Sequence, residues 1–204
     1  MIRILIIFLL LHISSLIIAQ NLYFPINIKN RQSAEEIKLT EIGKFGLWRI
    51  KWKANAPHFH TGCDIKRPGA NYLNEPIFSV ANGRVISVRN DGANSQVIIE
   101  HQLKNKFMFW SVYEHVMAVM VRPGDYVEPL KPIARFMTKE ELAKFGWHFD
   151  HVHLEIMKLS PLKIKPSKAQ PNWLYVTYSL SCFTEKKLHK YYYNPLKFVT
   201  RDFN

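Results

Sequence analysis

The chain has 204 residues, 48% hydrophobic and 13% aromatic, enough apolar material for one sizeable core plus extensions and too much for a disordered chain. Its 28 Lys and Arg against 16 Asp and Glu give a formal net charge of +12, a balance that attracts polyanions and equally serves solubility. Two cysteines, Cys63 and Cys182, exclude a disulfide scaffold and leave room for one bridge at most.

Residues 1–19 read as a signal peptide. Arg3 supplies a positive start, Ile4 to Leu11 form an apolar run softened by His12, Ser14 and Ser15, and Ala19 before Gln20 is a small-residue cleavage site. The run is close to a membrane-spanning length, so an uncleaved anchor is the alternative. Either way the chain is expected to be exported, to the periplasm, the cell envelope or the medium, where disulfides persist.

Residues 20–50 form a lead-in. "SAEE", Ser33 to Glu36, has the spacing of a capping box and predicts a short helix. Residues 51–158 read as short strands and turns. "EPIFSVANGRVISVRNDG" gives two strands with turns at Asn82-Gly83 and Asp91-Gly92, and "SQVIIEHQ" and "KFMFWSVYEHV" give two more. "RPGDYV" is a turn and "KPIARF" a short strand. "TKEELAKFG" predicts one helix, with Thr138 and Glu141 as a capping box and Gly146 as its stop. "HVHLEIMK" returns to a strand. Residues 159–204 read as an irregular, basic and aromatic extension, broken by Pro161, Pro166, Pro171 and Pro195. From Lys158 onward, nine basic residues stand against Glu185 and Asp202. For an exported chain this favours peripheral association with an anionic envelope surface over nucleic acid.

Two dense stretches carry the chemistry. In "HTGCD", His60 and Asp64 lie four apart, with Gly62 letting the backbone turn between them. In "HVH", His151 and His153 lie two apart and project from one face of a strand, Val152 and Leu154 from the other. Histidine and carboxylate are zinc ligands; three of them leave a fourth position open for catalysis, whereas four make a closed structural site. His60, Asp64 and His153 suit the open set. His151 is then free for proton work, and His115 can approach from a neighbouring strand. A closed site would need Cys63 or His58 as its fourth ligand. Strand alternation turns Cys63 away if Asp64 faces the metal. His58 and His148 adjoin the clusters without a demanded role, and His101 and His189 receive none.

The surroundings of these stretches resemble the lysostaphin-type, or LytM-like, zinc metalloendopeptidases. The H-x-x-x-D motif followed by an apolar residue is matched by His60 to Ile65, and a G-x-P-V-x-A-x-x-x-G-x-V stretch by "NEPIFSVANGRV", Asn74 to Val85. Y-x-H is matched by Tyr113 to His115, the GDxV turn by Gly124 to Val127, and H-x-H-x-E by His151 to Glu155, in the family's order. The resemblance covers about residues 58–158. It implies an all-β core, an antiparallel sheet or sandwich with one short inserted helix, and a metal in an open groove. One Zn2+ per chain would be held by His60, Asp64 and His153, with His115 and His151 as the catalytic histidines. The implied activity is hydrolysis of a peptide bond in bacterial peptidoglycan, in a cross-bridge or a stem peptide. Zinc in such a site acidifies a water and polarises the scissile carbonyl, and histidines titrate near working pH. The family also contains members that have lost metal ligands and regulate other wall hydrolases. A silent or autoinhibited wall-binding regulator is therefore the second reading, although all five positions are intact here. Asn74 replaces the usual glycine, "EELAKFGWHFD" replaces the family's Gly-rich approach to H-x-H, and the extension lies beyond the resemblance.

Overall fold

In the computed structural model, residues 21–50, 56–104 and 106–203 are described; the expected signal segment lies outside them. Among the described residues no helix is long and apolar enough to cross a membrane.

The sequence alternation becomes, in chain order, strands β1 (Trp48–Arg49), β2 (His58–Phe59), β3 (Cys63–Lys66), β4 (Pro76–Phe78), β5 (Gly83–Arg89), β6 (Gln96–Gln102), β7 (Met108–Glu114), β8 (Tyr126–Val127) and β9 (Pro132–Arg135). Helix α1 (Lys139–Phe145) follows, then β10 (His151–Met157), β11 (Leu162–Lys163), β12 (Tyr175–Val176), α2 (Glu185–Tyr191), β13 (Tyr192–Tyr193) and α3 (Pro195–Val199). The main sheet runs β13-β10-β7-β6-β5-β8, every pair antiparallel, with β3 beside the first half of β10. All seven residues of β10 are buried. Its sequence alternates polar His151, His153 and Glu155 with apolar Val152, Leu154 and Ile156, and both faces are covered.

One core lies against this sheet, with Ile65, Val97, Ile99, Tyr113, Val152, Leu154 and Ile156 fully buried in it. A second, smaller cluster under the extension holds Ile98, Trp110, Met157, Leu188 and Tyr192. The expected helix is present as α1. Thr138 Oγ1 accepts from Glu141 N at 3.3 Å, Glu141 Oε2 accepts from Thr138 N at 2.8 Å, and the Glu141 carboxylate also takes a two-pronged pair from Arg135.

Two expectations change. Ser33 to Glu36 forms turns, because Ser33 Oγ is used by the nearer Glu35 N–H at 3.2 Å, a local bond that competes with helix. The lead-in is nonetheless core material: Leu22, Phe24 and Ile26 are buried, and Ile26 and Leu39 bridge to Ile77 and Ile65. The extension is more ordered than its prolines suggest. Thr184 caps α2, Asn194 with Pro195 at the first helical position caps α3, and β13 adds to the edge of β10. Cys63 and Cys182, for which the sequence left a bridge open, are both free and buried, in the two different clusters.

His101, given no role from sequence, is fully buried and stacked on Phe109. Its Nδ1 meets Asn82 O at 2.9 Å and its Nε2 meets Ser111 Oγ at 2.7 Å. Burial pushes its pKa down to about 4. The unfolded chain therefore takes up the proton first, and the stability held above an unfolded pKa of about 6.5 is lost as pH falls towards the folded value. This one residue should remove about 3 kcal/mol across that window. Denaturant titrations at stepped pH check this: His101→Gln should flatten the fall relative to the parent chain, and parallel curves would refute the assignment.

Candidate metal centre

Three adjacent strands build the site. The β3–β10 register sets Asp64 directly opposite His153, and the β7–β10 register sets Glu114 on the other side of His153. His60 stands on the turn entering β3. His115 follows the end of β7 with φ of 62°, a left-handed conformation rare for a side-chain-bearing residue and concentrated at functional sites.

His60 Nε2, Asp64 Oδ1 and His153 Nδ1 form a triangle with edges of 2.8, 3.0 and 3.1 Å, slightly inside the ~3.3 Å expected between ligands of a tetrahedral zinc. Their hydrogen bonding fixes what these atoms offer. His60 Nδ1 faces Lys44 O at 2.9 Å, so that nitrogen carries the proton and Nε2 a lone pair. His153 Nε2 faces Glu155 Oε1 at 3.2 Å, so in the neutral ring Nδ1 carries the lone pair. Two lone pairs and a carboxylate oxygen thus converge on one point, all three residues buried. Three acceptors in contact require a cation between them. Burial would lower the His153 pKa, but bonds to Asp64 and Glu155 raise it to about 10. Burial would raise that of Asp64, but the two histidines push it far below the carboxylate range. The donor set fits a divalent metal, and zinc in particular.

The surrounding side chains hold the ligands. Arg49, on β1, donates at 2.5 Å to Asp64 Oδ2, which leaves Oδ1 to face the histidines. Glu155 Oε1 receives both His153 Nε2 and the Thr61 hydroxyl, the latter at 2.5 Å. Such partners fix tautomer and orientation. Gly62 matters for space more than for turning: a Cβ there would lie 2.4 Å from Leu154 O and 2.8 Å from the His153 ring. Arg67 anchors the entry to β10, donating to Asp150 Oδ1 at 2.6 Å, to Met137 O at 2.5 Å and to Glu75.

His115 and His151 flank the triangle. Their rings are 4.9 Å apart, edge to face. His151 Nε2 is 3.5 Å from Asp64 Oδ1, and its buried Nδ1 has no hydrogen-bond partner among the described residues. His115 Nδ1 meets Ala93 O at 2.6 Å. Burial pushes the pKa of His151 down to about 3 and lowers that of His115, so both are neutral at physiological pH. The turn after α1 packs Phe149 on His115 at 4.8 Å, which gives the inserted segment a wall of the site. His58 bonds Ala56 O and His148 packs on Phe149; neither joins the triangle. Cys63 points into the core, its thiol pushed up to about 11 by burial, so no thiolate ligand is at hand.

Arg49, Thr61 and the Lys44 carbonyl carry no motif signal that sequence reading used, since each acts through a fold-dependent contact. Glu155 was visible as the last position of H-x-H-x-E.

A family model described as "Peptidase family M23" matches residues 58–167. No curated protein matches the chain. Among solved structures, a zinc-containing peptidase from Vibrio cholerae aligns at 20% identity over 67% of this chain and 37% of that one, with a TM-score of 0.45. Lysostaphin aligns at 17% over 82% and 53%, TM-score 0.47. The catalytic domain of the prophage-encoded M23 protein EnpA from Enterococcus faecalis aligns at 21% over 76% and 93%, TM-score 0.43. The chain spans about half or less of the first two of these proteins.

Removing the charge on Glu155 while keeping its shape should weaken the hold of His153 on a metal. Zinc affinity of Glu155→Gln, measured by competition with a chromophoric chelator, is expected to fall by about tenfold. An unchanged affinity would show that Glu155 does not orient His153.

Proposed function

Since the chain belongs to peptidase family M23, we propose that it is an exported zinc endopeptidase that hydrolyses a peptide bond of bacterial peptidoglycan. The observation that carries this reading is the buried triangle of acceptors at His60, Asp64 and His153, with two neutral histidines beside it. Zinc at that point would polarise the scissile carbonyl and make a water acidic enough to act as nucleophile near neutral pH.

The chain's own residues do the rest. His60 Nε2, Asp64 Oδ1 and His153 Nδ1 are the ligand atoms, and Arg49, Glu155 and the Lys44 carbonyl hold them in place. His115 donates Nδ1–H to Ala93 O, which leaves its Nε2 as an acceptor for the proton of an attacking water. His151 is the other ring beside the site; neutral, it can give an N–H hydrogen bond to the developing oxyanion, while the proton taken up at His115 is the one available to the leaving amine. Burial keeps both rings neutral, which a base requires. Peptidoglycan as substrate is supported by the family-like motif order, the export expected from residues 1–19, and the basic surface, which suits an anionic wall.

Digestion of purified peptidoglycan by the zinc-loaded chain, read by mass spectrometry of released muropeptides, tests the proposal. New peptide termini should appear and should vanish with His153→Ala. His151→Ala should keep its zinc and cut at least about a hundredfold more slowly. Bound zinc with no new termini would instead favour the silent or autoinhibited regulator.

A further inference from the structure

A cavity of about 330 Å³ opens under the extension, lined by Lys158, His189, Tyr193, Asn194, Lys197 and Arg201 among others. All of these but Lys158 lie beyond residues 58–167, where the family match ends. Its lining residues include three cations and no carboxylate. Lys158 is positioned rather than loose: its ammonium donates to His189 O at 2.6 Å and sits 4.5 Å over the Tyr193 ring. That leaves two of its three N–H donors for another partner. Lys197 and Arg201 come four residues apart around the end of α3 and are exposed. Like charges gathered around one concavity repel one another unless an anion lies between them.

We propose that this cavity is a second binding site, for the phosphate groups of a polyanion. Three cations overmatch a single carboxylate and suit a chain that carries negative charge at every repeat. Arg201 can grip two oxygens of one phosphate while the lysines act as point charges. Lys158 follows directly on β10, the strand that carries His153. A wall polymer held at Lys158 would keep the chain on its support independently of cleavage.

Isothermal titration of the full chain with inorganic tripolyphosphate tests the proposal. Micromolar-range binding should appear and weaken about tenfold or more in Lys197→Gln/Arg201→Gln, both exposed positions whose replacement should leave the thermal melt unchanged. Lys163→Gln/Lys165→Gln loses the same charge away from the cavity and should bind like the parent. So should His153→Ala, which separates this site from phosphate seated on the metal centre and keeps the result independent of peptidase activity. A wall-type phosphodiester polymer and vesicles of anionic phospholipid, compared on the parent and the cavity variant, identify which source of phosphate the site takes. Absence of binding, equal loss in both double variants, or equally tight binding of poly-glutamate would overturn the proposal.

Discussion

The contact between Asp64 and His153 is the constraint around which the rest is arranged. It is a cross-strand pair, set by the register of β3 on β10, and its 2.8 Å bond joins two buried groups. Buried charge is costly unless paired, so every neighbour is recruited to this pair. Arg49 takes the second Asp64 oxygen, Glu155 the second His153 nitrogen, and His60 closes the triangle. A slip of one residue in that register would send His153 to the opposite face and Leu154 into the site. The hydrophobic alternation that fixes the register is therefore also what specifies the metal site.

The pinning is distributed along the strands. Val152, Leu154 and Ile156 bury one face of β10 in the core and oppose slippage. Arg67, just after β3, is tied to Asp150 just before His151 and, through Glu75 and Met137, to further segments. A guanidinium suits this place because it keeps its charge when buried and offers five donors in a planar fork. The inserted helix α1 acts through the same junction: its turn delivers Phe149 to His115, so the departure from the family's Gly-rich approach becomes a wall of the site.

Much of this was legible in the sequence because the informative signals were local. Period-two runs gave β5, β6, β7 and β10, the Thr138 and Glu141 spacing gave α1, and histidine and aspartate spacing gave the residues that converge. What escaped depended on long-range contacts or on competition between local ones. Ser33 to Glu36 had the spacing of a helix start, but the Ser33 hydroxyl was taken by a nearer donor. Arg49 reads as one more basic residue in a basic chain, and only the pairing of β1 with β2 brings it to Asp64. In the extension, prolines and lysines masked the caps at Thr184 and Asn194 and the burial of Leu188, Tyr192 and Phe198.

The extension changes what β10 is for. Without β13, β10 would present an open edge at Ile156 and Met157, and exposed edges invite pairing with other chains. Covering it required apolar anchors, which Tyr192, Leu188 and Phe198 supply. The lysines and arginine between those anchors must then face outward or into the cavity they enclose, since their charge bars them from either core cluster. One end of the strand thus gathers acceptors that fit a cation, and the other borders a cluster of cations. Both ends are consequences of the same packing, because strand registry and edge protection decide which polar side chains have no apolar place to go.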